Sequence, residues 1–428
     1  MTLTDQTSVE KPASSRPGSW TPVAAALFTA AWGGNEFTPL LVMYRQQGEL
    51  SAVAIDSLLF TYVLGIVPAL LIGGPLSDRY GRRPLMLPAP VFAGLGSLLL
   101  ALGPHSLALL SVGRVASGVA LGLSMAVGGS WLAEISHRNG DRAGVGARRA
   151  AMSLTAGFGV GAGIAGVLAQ WGPWPTVTPY AVNIALACIA LVALAGAPET
   201  RYRGTDRGRL ADDLRITGVL NRRFLLVVVP VAPWVFGAAA SAYAVIPALM
   251  SARTAGAPIA FAALCCVLGL GAGFGIQSLG RRLDDPDRAR GPVLALIVLA
   301  AGMALAAAAA HTLAVWVSLL AAIVLGCGYG MAMIAGLLEV QRIAGPHNLA
   351  GLTAVFYSVT YLGFAVPVIL AWISENRPAI TYTAMFGVGV IAALVCLAIV
   401  VAGHRADRRI FQQRPGAAAC EIPRTTDR

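Results

Sequence analysis

Residues 73–84, GGPLSDRYGRRP, decide how this chain folds, because they place four charged side chains in a short turn between two long apolar runs. The runs on either side, 53–76 and 85–103, are almost free of charge. An apolar run of about 20 residues is long enough to cross a bilayer as a helix. The stretch therefore predicts a tight, charged turn at a membrane surface between two membrane spans.

The rest of the chain repeats this pattern. Its 428 residues are 57% hydrophobic and 12% charged, whereas soluble domains carry about 25% charged residues. Hydropathy predicts an all-α integral membrane protein with twelve transmembrane helices. The predicted spans are 20–44, 53–76, 85–103, 106–132, 149–170, 177–197, 224–250, 258–279, 292–310, 313–338, 349–373 and 379–402.

The arginines predict how the chain is oriented. Of the 31 basic residues, 27 fall in the two tails and in the loops that follow even-numbered spans. Arg45, Arg253 and Arg377 fall on the other side, and Arg114 lies inside a span. Loops rich in Lys and Arg stay in the cytoplasm. We therefore expect a multi-pass protein of the plasma (inner) membrane with both termini in the cytoplasm. The net charge of +11 follows from this topology, and no contiguous basic face for nucleic acid is present.

A long charged interruption at 198–223 divides the chain into two halves. The predicted organisation is, in chain order, a cytoplasmic tail 1–19, a six-helix bundle 20–197, a cytoplasmic linker 198–223, a second six-helix bundle 224–402 and a cytoplasmic tail 403–428. Two pseudo-symmetric six-helix halves are typical of secondary transporters, in which the substrate site lies between the halves.

Matching polar residues recur at equivalent places in the two halves. Arg82 and Arg83 follow the second span, and Arg281 with Arg282 follows the eighth. Glu134 stands near the end of span four, and Glu339 stands at the corresponding place on span ten. This repetition supports the division into two related bundles.

Three motifs carry a resemblance to a known family. The turn after span two reads G-x-x-x-D-R-x-G-R-R, formed by Gly74, Asp78, Arg79, Gly81, Arg82 and Arg83. This resembles the signature loop of the major facilitator superfamily. Arg114 and Gly118 resemble its fourth-span R-x-x-x-G element, and residues 198–200 resemble the PET sequence that closes span six. The resemblance implies transport by alternating access and is closest to the proton-coupled exporters of drugs and small organic molecules.

We expect the charged turn to act as a gate. Gly74 and Gly81 permit close backbone approach and a sharp turn. Asp78 is expected to accept hydrogen bonds from a helix N-terminus in the other half, and Arg82 is expected to pair with Glu134. The alternative is a plain positive anchor, which accounts for the arginines, including Arg79 and Arg83, but not for Asp78 or the glycines.

Glu36 and Arg114 are the two charges predicted to lie well inside the membrane. Each costs about 2.5–3.5 kcal/mol on insertion scales, so each is a functional candidate. Both lie about eight residues, or about 12 Å, from the outer ends of their helices, which predicts that they pair. The functional hypothesis is that Glu36 takes up and releases a proton while Arg114 tunes it. The alternative is a static buried ion pair that fixes helix packing.

Polar and aromatic residues on four spans are predicted to line a substrate cavity. They are Trp32, Asn35, Asn183, Trp234, Tyr243, Tyr357 and Tyr361, with Phe37, Phe236, Phe356 and Phe364 as neighbours. Aromatic rings among a few polar groups suit a bulky amphiphilic ligand. The alternative is that these rings only pack between helices or form interface belts.

The run GFGVGAGIAG, residues 157–166, resembles the fifth-span element of antiporters in the superfamily. Gly157, Gly161 and Gly166 fit, whereas Ala162 and Ala165 stand where proline and glycine are expected. The match favours export, although small residues at this spacing also permit close helix packing.

Several classes of protein are excluded or disfavoured. The single lysine, Lys11, lies in the N-terminal tail, which excludes a P-loop ATPase. The chain shows no clustered histidines and acids for a metal, and no disulfide framework. We therefore expect no enzyme activity, no metal and no cofactor. The expected partners are a small-molecule substrate, protons and the bilayer, with a monomeric protein. A proton symporter that imports a metabolite and a transporter-like membrane sensor remain as alternatives.

Overall fold

The computed structural model describes residues 19–201, 219–254, 256–285, 289–345 and 348–412, with side chains described up to residue 405. Throughout this part of the chain the secondary structure is helical and contains no strand. We number the membrane-spanning helices α1 to α12. They are α1 (Thr21–Asn35 and Phe37–Gln47), α2 (Ala52–Tyr80), α3 (Arg82–Leu102), α4 (Leu107–Arg138), α5 (Val145–Trp171), α6 (Thr178–Ala195), α7 (Phe224–Met250), α8 (Pro258–Leu283), α9 (Arg290–Thr312), α10 (Val315–Ile343), α11 (Leu349–Asn376) and α12 (Tyr382–Gln412).

Eleven of these helices are long and apolar enough to cross a membrane. The remaining span, α1, is interrupted at Glu36 into segments of 15 and 11 residues. Pro39 has no backbone N–H, so the helical hydrogen bond to the carbonyl of Asn35 cannot form. The break therefore falls on the one carboxylate in this span.

Glycines bring the second and fourth helices of each half into backbone contact. A Cβ at Gly65 of α2 would lie 2.1 Å from the Val115 carbonyl oxygen of α4. In the other half, a Cβ at Gly330 of α10 would lie 1.9 Å from the Gly273 carbonyl oxygen of α8. Small residues permit this approach between membrane helices. The two pairs, α2 with α4 and α8 with α10, are equivalent, as the two-bundle fold requires.

The halves meet along α5 with α8 and α2 with α11, and the second segment of α1 also packs against α7 and α8. We call the side on which α1 begins and α12 ends the terminal side, and the other the far side. Hydrogen bonds that join the halves between described residues lie on the far side or near the middle of the membrane: Val53 with Glu375, Gln170 with Gly256, Ile259 and Ala260, and Tyr361 with Met125. The described part of the protein is therefore tied together on its far side.

Candidate functional site

The charged turn between α2 and α3 is built around Gly81 and Glu199. Gly81 has φ of 104°, and a Cβ there would lie 2.8 Å from Glu199 Oε2. Only glycine adopts this conformation readily. The Glu199 carboxylate then accepts hydrogen bonds from the backbone amides of Arg82 (3.0 Å) and Arg83 (2.9 Å) at the start of α3. A carboxylate at a helix N-terminus is favourable because the amides there lack partners within the helix.

Arg82 reaches from this turn to the end of α4. Its Nη2 lies 2.7 Å from Glu134 Oε1, and its Nη1 donates to Ser77 Oγ at 2.6 Å. The second oxygen of Glu134 accepts from Thr200 Oγ1 at 2.5 Å. The predicted pairing of Arg82 with Glu134 is confirmed. The neighbouring Arg83 donates to the Ala195 carbonyl oxygen of α6.

Two expectations for this turn are wrong in this structure. Asp78 contacts Arg82 (2.9 Å) of its own half and Arg201 (3.4 Å) of the segment that follows α6, rather than a helix in the other half. Two full positive charges within reach attract a carboxylate more strongly than the partial charge of a helix end. Gly74 permits no close approach here, because nothing in the described part lies within 4 Å of where its Cβ would stand. Arg79 lies in the last turn of α2, next to Asp78.

The second half carries an equivalent cluster with the charges rearranged. Glu339 of α10 accepts from Arg223 at 2.6 Å and from Arg342 at 2.6 Å. Arg342 also pairs with Asp284, which follows α8. The turn after α8 thus contributes an aspartate to an arginine on α10, whereas the turn after α2 contributes Arg82 to a glutamate on α4.

Glu36 lies in the interior of the first half and is fully buried. Its Oε1 accepts a 2.7 Å hydrogen bond from Ser97 Oγ of α3, and Ser97 Oγ accepts from Asn183 Nδ2 of α6 at 2.8 Å. Glu36 Oε2 and Asn183 Oδ1 have no hydrogen-bond partner. One carboxyl oxygen of Glu36 is therefore bonded to Ser97 and, through Ser97, to Asn183, and both of these side chains are neutral.

Arg114 is also buried, but its donors point elsewhere. Its Nη1 donates to the Gly34 carbonyl oxygen and its Nε to the Leu58 carbonyl oxygen, both at 3.2 Å. Its guanidinium lies 4.2 Å from the centre of the Tyr62 ring and 4.8 Å from that of Phe37. Among described residues no ion pair joins Glu36 to Arg114, so the expected pairing is wrong. Carbonyl oxygens and aromatic faces accommodate the cation instead.

Stacked aromatic rings occupy the junction between the halves. The Phe236 ring of α7 lies 4.4 Å from that of Tyr361 and 4.9 Å from that of Phe364, both on α11. Tyr361 donates to Met125 Sδ of α4 at 3.3 Å, which links the rings to the first half. Tyr243 is buried in the hydrophobic core that contains Tyr361 and Phe364, and Tyr357 packs against this core. We call Phe236, Tyr361, Phe364, Tyr243 and Tyr357 the aromatic junction.

The other predicted cavity residues lie away from the aromatic junction. Asn183 joins Glu36 inside the first half. Trp234 donates to Cys396 Sγ of α12 at 3.5 Å, within the second half. Asn35 donates to the Phe158 carbonyl oxygen of α5 at 3.1 Å, and Trp32 packs against Gly161 of α5.

Sequence reasoning missed several residues of these clusters. Ser97 is the one hydroxyl residue in the apolar run 85–103, and this isolation is the signal that could have found it. Glu199 was recognised in its motif but not as the cap of α3. Tyr62 and Met125 carried no signal, because single aromatic and sulfur-containing residues are common in membrane helices. Throughout the described residues, His, Cys, Asp and Glu form no group suited to a metal.

These features define a helical membrane protein of two related halves, with a buried carboxyl group in one half and an aromatic junction between the two. Residues 23–368 match the model of the Major Facilitator Superfamily. The chain therefore belongs to the Major Facilitator Superfamily.

Individual relatives match shorter stretches. The chain is 45% identical over 80 residues to human solute carrier family 2, facilitated glucose transporter member 12, which covers 18% of this chain and 13% of the relative. It is 31% identical over 151 residues to a triacylglyceride transporter of Mycobacteroides abscessus, which covers 35% of this chain and 28% of the relative. The matched stretches thus span less than a third of these relatives.

Solved structures of transporters share the fold along nearly the whole chain. The nucleoside transporter NupG, solved as a mutant, superposes with a TM-score of 0.71 at 13% identity and covers 90% of this chain and 98% of its own. A D-xylose–proton symporter superposes with a TM-score of 0.66 at 18% identity. The superposition covers 89% of this chain and 96% of the symporter chain. This likeness supports the assignment of the fold.

Proposed function

We propose that this protein is a secondary active transporter that exports a small organic molecule by alternating access in exchange for protons. The observation that carries the proposal is the state of Glu36: a fully buried carboxyl group, bonded on one oxygen to a serine and without a partner on the other. Buried ionisable groups in membrane helices are expensive and mark functional sites.

The separation of Glu36 from Arg114 supports a proton role over a static ion pair. Arg114 is accommodated by the carbonyl oxygens of Gly34 and Leu58 and by two rings. Protonation of Glu36 therefore breaks no ion pair and leaves no buried cation newly unpaired. A proton driven by 100 mV supplies about 2.3 kcal/mol, enough for a substrate gradient of about fifty-fold.

The aromatic junction supports a substrate with a planar apolar part. Its rings come from α7 and α11, and a sulfur atom of α4 closes it from the other half. The hydrophobic core that contains these rings also contains Phe37 and Tyr62, and the Arg114 guanidinium lies against both of those. Neutral or cationic aromatic molecules suit the faces of the junction rings.

Packing of the glycine run supports both the coupling and the choice of export. A Cβ at Gly157 would lie 2.3 Å from the Phe28 carbonyl oxygen, and one at Gly161 would lie 2.8 Å from Trp32 Cα, both on α1. A Cβ at Gly166 would lie 2.3 Å from Ala263 Cβ of α8 in the other half. The helix that bears Glu36, α1, therefore packs against α5, and α5 packs in turn against α8 of the other half. The glycine run itself resembles the fifth-span element of antiporters.

Import by proton symport is the second candidate. Its support is the fold that this chain shares with a D-xylose–proton symporter, because that architecture can also carry substrate and protons in the same direction. In either case we place the terminal side in the cytoplasm, because 27 of the 31 basic residues belong to that side by sequence.

The test uses purified protein in liposomes that contain a pH-sensitive dye. A proton gradient is imposed, and neutral, cationic and anionic aromatic compounds are added in turn. We expect neutral or cationic compounds to trigger proton flux, with substrate and protons moving in opposite directions. Flux in the same direction would assign import. Binding without flux for every compound would contradict transport and favour a sensor.

A further inference from the structure

Two side chains cross between the halves on the far side, and each ends on the first turn of a helix in the other half. Gln170, in the last turn of α5, accepts through Oε1 from the backbone amides of Ile259 (2.9 Å) and Ala260 (3.2 Å) of α8. Glu375, in the last turn of α11, accepts through Oε1 from the backbone amide of Val53 (3.2 Å) of α2.

These two contacts are equivalent by the symmetry of the fold. The helices α5 and α11 are the fifth of their halves, and α2 and α8 are the second. In both directions, therefore, the end of a fifth helix caps the start of the second helix in the opposite half. Gln170 adds a further bond, from Nε2 to the Gly256 carbonyl oxygen just before α8.

Local sequence explains why the caps must come from outside. The first amides of a helix have no partners within it, and a serine, threonine, aspartate or asparagine just before the helix normally supplies one. The residue at that place before α8 is Ala257, which has no side-chain acceptor. Before α2 it is Ser51, which serves only the amide of Ala54 and leaves that of Val53 to Glu375.

We propose that Gln170 and Glu375 are the gating residues of the far side, which hold the two halves together by capping α8 and α2. The proposal rests on the transport cycle proposed above. When the far side opens, the caps are lost and the first amides of both helices turn to water. The gate is closed here, with three backbone amides satisfied across the interface.

The test measures the distance between the halves on the far side by electron spin resonance. Spin labels are placed at Trp174→Cys, in the loop after α5, and at Trp316→Cys, near the start of α10, in a chain whose own cysteines are replaced by alanine. Both tryptophans are exposed, at 75% and 71%. Wild type is expected to show one short distance and a small fraction of a longer one.

Removing an acceptor should favour the open far side. In Gln170→Ala and in Glu375→Ala we expect the longer-distance fraction to rise about five-fold, the usual effect of a lost helix cap, and to rise further in the double variant. Glu375→Gln keeps its acceptor oxygen and should stay close to wild type, whereas Gln170→Glu keeps the acceptor but loses the Nε2 bond to the Gly256 carbonyl oxygen and should lie between wild type and Gln170→Ala. The matched control is Asn376→Ala, because Asn376 Nδ2 donates only within α11, to the Trp372 carbonyl oxygen at 2.9 Å.

The outcome separates the gate from the transport function. The measurement needs neither substrate nor proton gradient, so the gate can fail while transport succeeds, and the reverse. An unchanged distance distribution in the folded double variant, or an equal change in Asn376→Ala, would overturn the gate. A folding defect is recognised from helix content, and Glu375→Gln, which keeps its acceptor oxygen, must then give the same distance distribution as Asn376→Ala.

Discussion

Ser97 of α3 donates a 2.7 Å hydrogen bond to the carboxylate of Glu36 on α1, across the interior of the first half. This carboxylate receives no hydrogen bond from Arg114. A hydroxyl group, and not a cation, is thus the direct partner of the one carboxylate in the middle of α1. Because a hydroxyl can both donate and accept, Ser97 can serve Glu36 in either protonation state.

We expect Ser97→Ala to alter proton coupling. The hydrogen bond to a charged group contributes about 1.5–3 kcal/mol, so its loss should reduce substrate-driven proton flux at fixed pH about ten-fold or more. Ser97→Thr retains the hydroxyl and should restore most of the flux. The pH profile of flux in liposomes checks this expectation. If Ser97→Ala keeps the wild-type profile, Ser97 has no part in coupling.

Gly118→Ala should destabilise the first half. A Cβ at Gly118 of α4 would lie 2.2 Å from the Tyr62 carbonyl oxygen of α2, so the two helices must separate. Overpacking of this kind costs about 1–3 kcal/mol, which thermal unfolding in detergent would detect. The control is Gly159→Ala on α5, where a Cβ meets nothing within 4 Å. This substitution should leave stability unchanged or raise it slightly. Equal losses in both variants would contradict the close approach.

Glu134→Ala should weaken the charged cluster at the end of α4. Arg82 would lose its 2.7 Å partner while its side chain stays 6% exposed, and Thr200 would lose its acceptor. We expect a loss of about 1–3 kcal/mol in the free energy of unfolding. Arg148→Ala removes an exposed arginine of α5 and serves as the control. If the two variants unfold alike, the pairing of Arg82 with Glu134 contributes nothing measurable.

Phe236→Leu should weaken substrate binding. Phe236 stacks on Tyr361 and Phe364 at the aromatic junction, and an aromatic pair contributes about 0.5–1.5 kcal/mol beyond its buried area. We expect the KM of an aromatic substrate to rise about three- to ten-fold, with a smaller change for a non-aromatic one. Phe274→Leu on α8, where the ring is 40% exposed, is the control. An unchanged KM for every substrate would place binding elsewhere.

Hydropathy alone predicts the helices of this fold well, because the position of a membrane span depends only on where a long run of apolar residues begins and ends along the chain. The predicted α7, 224–250, has the observed bounds, whereas α4 and α10 extend past the predicted ends at 132 and 338. There the polar residues that lowered hydropathy, Glu134 and Glu339, remain helical and are paired by arginines. Hydropathy does not register the break in α1, which Pro39 marks in the sequence.

The candidate site was predicted less completely, because depth in a membrane does not fix the direction of a side chain. Glu36 and Arg114 were correctly recognised as interior charges, yet equal depth on two helices leaves their rotation about the helix axes open. Asn183 was expected at the cavity and joins Glu36 instead. Trp234 bonds to α12. Arg82 and Glu134 are 52 positions apart, yet their pairing was predictable because both lie at the same charged end of the first half.

The most direct test of the central claim is to compare wild type with Glu36→Gln in two assays on the same liposomes. One assay measures substrate-driven proton flux, and the other measures exchange of labelled for unlabelled substrate without a proton gradient. Glutamine imitates the protonated carboxyl group, so we expect Glu36→Gln to lose proton flux and retain exchange. Proton flux that persists in Glu36→Gln would contradict the assignment of Glu36 as the coupling residue.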